Sequence, residues 1–204
     1  MPTDVVLLDR PMPSFSLQRW FAERASALNE MERAHQALRG SGPGVRAASL
    51  QINQAYTMML SGQFQGYCRA FHDECAELLV GAIADSDLRD IAMFNLTTNR
   101  KLDRGNPNAG HIGADFGRFR LPFWSLVAAH HSQNSNRRMA LDDMNEWRNA
   151  IGHQDFAPAM LRAGRPTLQL ARVQAWRSAC DALARSFEEV MRTYIRRFAV
   201  SVPW

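Results

Sequence analysis

Only three cysteines, Cys68, Cys75 and Cys180, occur in the 204 residues. An odd and small set cannot build a disulfide framework, and the seven-residue step between the first two is a helical spacing that suits buried thiols. No Cys-x-x-Cys or His-Glu-x-x-His pattern is present, so no structural zinc site and no other metal or cofactor is expected. With 9 prolines and 12 glycines the chain is neither collagen-like nor of low complexity. Its apolar runs, such as Leu126–Ala129, fall far short of the ~20 residues that cross a bilayer, so no membrane association is expected. The first residues lack a basic segment followed by an apolar one, so a secretory signal is not read and a cytoplasmic location is expected.

Lysine is nearly missing as well. Lys101 stands alone beside 23 arginines, within a net charge of +4. The planar guanidinium donates paired hydrogen bonds to phosphate, which suits a polyanionic partner. Arginine-rich coding alone would produce the same skew.

What is present is helical periodicity. Leu17, Trp20, Phe21, Leu28, Met31 and Leu38 define a helix over 17–38, capped by Ser14 or Ser16 and ended by Gly40–Gly44. A long helix over 47–84 carries Tyr56, Leu60, Phe64, Tyr67, Phe71, Cys75, Leu78 and Ala82 in steps of four and three. Gly62 and Gly66 inside it suggest that another backbone comes close. Helices are predicted over 86–101, 122–131, 139–153 and 168–200, with an ordered Gly/Asn-rich loop over 103–117 and a break over 132–136. The last helix repeats Val173, Trp176, Cys180, Leu183, Phe187, Val190, Tyr194 and Phe198 almost as a heptad seam. No strand alternation or internal repeat stands out. The expectation is an all-α fold, an up-and-down helical bundle of five to seven helices.

The segment Leu141–Phe156 carries the chemistry. At 100° per residue Ala140, Met144, Trp147 and Ile151 share the core face. Asn149 and His153, one turn apart, fall on the opposite side, with Arg148 at the edge of the stripe. A core histidine would share the apolar face; this one is placed for solvent. Arg148 and His153 are five positions apart, so on one helix they point roughly 140° from each other. A symmetric dimer meeting through this face is the simplest way to bring both into one cleft. Gly152, just before His153, is read as letting the helix end or another backbone approach.

Arg148-Asn-Ala-Ile-Gly-His153 resembles the R-x4–6-H signature of the HEPN superfamily (higher eukaryotes and prokaryotes nucleotide-binding), in which a polar residue commonly follows the arginine. Asn53–Cys75 looks like the second helix of the bacterial RiboL-PSP-HEPN subgroup, and Leu102–Arg118 is similar to its loop. A second loose match, Arg104…His111, lies in the Gly/Asn loop with glycine after the arginine. The resemblance implies a single HEPN-like helical domain over 1–204. It also implies a metal-independent endoribonuclease, often a bacterial toxin or defence effector. Arg148, Asn149 and His153 would then be catalytic, RNA the substrate, a homodimer the working form and an antitoxin protein a possible partner. A non-catalytic module binding nucleotide, RNA or a protein is the alternative.

Gln65, Arg69 and His72 share a face of the long helix at i, i+4 and i+7. They either add RNA contacts or form a structurally hydrogen-bonded face. Arg100, Lys101, Arg104, Arg118 and Arg120 bracket the loop, as RNA-backbone contacts or as plain solvated charge. His130 and His131 read as a surface pair at a helix end, and Trp20, Trp124, Trp147 and Trp176 as core.

Overall fold

Helical periodicity dominates the computed structural model, which describes residues 12–198 and 203–204. Helix α1 (Phe15–Arg19) starts at Ser14, whose hydroxyl accepts from the Leu17 amide, and passes through a π turn (Trp20–Arg24) into α2 (Ala25–Gln36). Helix α3 (Pro43–Gly81) is 39 residues long, about 58 Å of continuous rod. It opens earlier than the glycine cluster suggested because Pro43, with no amide hydrogen to satisfy, is well placed in a first turn. Helix α4 (Ser86–Thr97) is capped by the Asp85 carboxylate, 2.9 Å from the Leu88 amide.

The segment read as a loop over 103–117 folds differently. A 3-10 turn (Lys101–Asp103) leads into α5 (Ala109–Phe116), a helix the glycine content disguised. Asn108 caps it by accepting from the His111 amide at 2.8 Å, and Ala109, Ile112 and Phe116 bury one face. Helix α6 (Phe123–His130) precedes α7 (Asn134–His153), which begins five residues before the predicted start at Met139. Asn134 explains the difference. It is buried, and its amide donates to the Val127 carbonyl at 2.7 Å and to Ser186 Oγ at 3.0 Å. A two-residue hairpin, β1 (Leu161–Arg162) and β2 (Arg165–Pro166), pairs Leu161 with Pro166 around Ala163 and Gly164 at positive φ. It is too short for alternation to reveal. Helix α8 (Leu170–Ile195) closes the bundle; the predicted extension to Val200 and the reading of the first residues lie partly or wholly outside the described residues.

The result is an all-α helical bundle. Helix α3 packs against α1, α2, α4, α7 and α8 around one contiguous core. An aromatic column holds it: Trp20 meets Phe64 at 5.4 Å, Tyr67 meets Phe71 at 5.7 Å, and Phe116 meets Phe123 at 4.4 Å between ring centroids. Cys68, Cys75 and Cys180 are buried and unpaired, and burial raises each thiol pKa well above its usual value. Glycine 66 faces not a backbone but the Arg24 guanidinium, 2.5 Å from where a Cβ would stand, whereas Gly62 has open space.

One turn of α8 gathers both extremes of the described chain. Ser14 donates from its amide (3.0 Å) and hydroxyl (2.6 Å) to Glu188, which also pairs with Arg192 at 2.8 Å. The Arg192 guanidinium lies over the Trp204 ring at 5.8 Å. No helix among the described residues is long and apolar enough to cross a membrane.

Candidate functional site

The last turns of α7 separate core from solvent as the periodicity required. Met144 and Trp147 are fully buried and Ile151 nearly so, with Trp147 against Trp176 and Phe156. The Arg172 guanidinium covers both indoles at 5.4 and 5.5 Å while pairing with Asp143, fixing this stretch of α7 on α8. On the other side Asn149 and His153 are exposed and Arg148 is half-buried.

Asn149 and His153 line one open groove of about 410 Å³ together with Glu146, Ala150, Asp155, Ala157 and Met160. Arg148 does not line it. Its guanidinium donates to Asn149 Oδ1 at 3.3 Å, so the arginine touches the asparagine but not the groove that holds the imidazole. His153 is the final residue of α7, and its ring has no hydrogen-bond partner among the described residues. The helix does not end on Gly152, which stays helical; Gln154 takes the left-handed conformation (φ 55°) and donates its amides to the last carbonyls.

A residue the sequence did not single out completes the arrangement. Asn106, in the segment between the 3-10 turn and α5, donates its side-chain amide to Asn149 Oδ1. The neighbouring backbone is pinned from below: Asn145, buried in α7, donates to the Pro107 carbonyl at 3.2 Å, and Asp142 accepts from the Ala109 amide at 2.9 Å. The density of asparagine in this segment was the available signal. Glu146 and Asp155, which put two carboxylates around the imidazole's groove, were also not foreseen.

The three auxiliary positions do not join this site. Gln65 donates to the Leu102 carbonyl at 2.6 Å, Arg69 pairs with Asp103 at 3.0 Å, and His72 bonds the Asp115 carbonyl at 3.0 Å. All of them bind the 102–115 segment to α3. His72 cannot contact RNA, because it is fully buried, its ring tilted against Phe119 at 4.5 Å between centroids. Arg100 Nη1 donates to its Nδ1, which leaves the proton on Nε2, and burial lowers the imidazole pKa to about 4.

Two of the bracketing cations are likewise structural. Arg100 is buried between Asp73 and Asp103. Arg118 donates to the carbonyls of Asn95, Leu96, Thr98 and Asn99, terminating α4. Lys101, Arg104 and Arg120 remain exposed. Of the tryptophans, Trp20, Trp147 and Trp176 are buried and Trp124 is half-buried. No group of three or more His, Cys, Asp or Glu among the described residues is arranged to hold a metal ion.

Searches of protein-family models, of curated proteins and of solved structures return no match to this chain.

Proposed function

We propose that this chain is a metal-independent endoribonuclease of HEPN type, acting on RNA in the cytoplasm as a homodimer. Exposed His153 and Asn149 in one open groove, on the side of α7 opposite its buried indole, carry the reading. RNA supplies its own nucleophile. The imidazole takes the proton of the 2′-OH, the 2′-oxygen attacks phosphorus, and the P–O5′ bond breaks as the imidazolium so formed gives that proton to the 5′-oxygen. The products are a 2′,3′-cyclic phosphate and a 5′-OH, and DNA is resistant.

As phosphorus becomes five-coordinate, negative charge grows on its non-bridging oxygens, and a guanidinium is suited to stabilise it. Within one subunit the groove is lined by Glu146 and Asp155 but by no lysine or arginine. Those carboxylates disfavour a polyanion until Arg148 of a second subunit reaches the groove, which is the argument for a dimer. A toxin or defence role, with an antitoxin covering the groove, belongs to the same proposal.

The test is incubation of pure protein with mixed RNA in EDTA, followed by end-group analysis. Cyclic-phosphate ends are expected from the wild type, with losses of at least ~100-fold in Arg148→Ala and His153→Ala at unchanged helicity. Intact RNA, or equal cleavage by the variants, would sink the proposal. A groove lined by no lysine or arginine of its own subunit favours a second reading, a non-catalytic module that binds nucleotide, RNA or protein; bound RNA with intact ends is its signature.

A further inference from the structure

The Arg104…His111 pair, set aside as a loose match in the sequence, lines a cavity of about 250 Å³ with Asn99, Arg100, Lys101 and Gly105. Its charge is one-sided. Arg100 is consumed by Asp73 and Asp103. Lys101 and Arg104 have no carboxylate partner among the described residues, and Arg104 is oriented only by Asn99, whose Oδ1 accepts from it at 2.7 Å. The nearby acids are occupied: Asp103 by Arg69 and Arg100, and Asp115 by the amides of Lys101 and Leu102.

His111 is held in a defined state. Its Nδ1 lies 2.8 Å from the Asn106 carbonyl, which can only accept, so the proton sits on Nδ1; a longer 3.4 Å approach to the Asn108 amide is secondary. Nε2 is left without a partner among the described residues. The ring occupies this place because residue 105 is glycine: a Cβ there would stand 2.5 Å from Cε1 and 2.8 Å from Nδ1. Asn106 therefore serves both cavities, holding His111 with its carbonyl and Asn149 with its side chain.

We infer that the Lys101–Arg104–His111 cavity is a phosphodiester-binding site, taking the backbone of an RNA strand that continues into the Asn149–His153 groove. Two free cations suit the oxygens of a phosphate, His111 forms the cavity wall beside them, and the Asn106 bridge makes the two cavities neighbours. The strand's path rests on the ribonuclease reading; the anion site itself does not.

The probe is a fluorescent 2′-O-methyl RNA dodecamer, which cannot be cleaved, titrated by anisotropy across a salt series, with pyrophosphate titrated by calorimetry in parallel. Replacing both cations (Lys101→Gln with Arg104→Gln) should weaken dodecamer binding at least tenfold and flatten its log–log salt slope by roughly 1.4, the share of two lost contacts. Gly105→Ala, which adds no charge but displaces His111, should weaken it in the same direction at unchanged helicity. Undiminished binding by the double variant overturns the inference, as does pyrophosphate binding without dodecamer binding. If wild type fails to cut RNA but loses dodecamer affinity with these cations, the ribonuclease reading falls and this site stands.

Discussion

Gly152 and His72 show how far one residue's surroundings decide its use. Gly152 lies inside α7 with nothing within 4 Å of where a Cβ would be. In the lone subunit Gly152→Ala should stabilise the helix by about 1 kcal/mol and raise Tm by about 2–4 °C. If the proposed dimer meets here, the same methyl should weaken association, read by sedimentation over a dilution series. A higher Tm with unchanged association would remove Gly152 from the interface.

His72 has the opposite character, a neutral imidazole walled in by Phe116, Phe119 and Arg100. Its folded pKa of about 4 lies below the ordinary 6.5, chiefly through burial. The unfolded chain therefore takes up a proton first as pH falls. The stabilisation is whole above pH 6.5, declines between 6.5 and about 4, and levels below. The full loss is on the order of 3 kcal/mol. Denaturant titrations should show that slope, and His72→Gln should flatten it.

Among the elements, the segment from α4 to α5 depends most on single side chains. Arg118 satisfies four carbonyls at the end of α4, and Asp115 holds the Lys101 and Leu102 amides at 2.9 and 2.8 Å. Arg118→Ala should cost roughly 1–3 kcal/mol, and Arg118→Lys should not restore it, because an ammonium cannot fork toward several carbonyls. Chemical denaturation of the three proteins decides this.

These are also the features the sequence concealed. The long stripes of α3 and α8 were legible because each apolar residue repeats on one face. Helix α5 was not, because its burial and its Asn108 cap outweigh glycine's poor helical propensity, a tertiary effect no local pattern records. The polar face of α7 was readable from angles alone, but Asn106 meets Asn149 across 43 positions. Gln65, Arg69 and His72 did share a face, yet that face receives the 102–115 segment rather than a cleft.

For the molecule as a whole, charge distribution matters more than net charge. Several arginines are engaged by groups of the chain itself: half-exposed Arg172 by Asp143 and two indoles, Arg177 by Glu32, Arg118 by the carbonyls that end α4. A basic composition therefore overstates the cationic surface left for a polyanion. Exposed cations beside the two cavities, Lys101 and Arg104 above all, should set the salt dependence of any strand binding. The structure also carries an architectural permission. Because Ser14 and Trp204 are both anchored at the Glu188–Arg192 turn, a short tether from Trp204 to Ser14 would span little distance. A circular permutant that joins these two residues and is opened in the Ala163–Gly164 hairpin should thus fold with its aromatic interior intact, giving a way to place fluorescent reporters beside the α7 groove without disturbing either anchor.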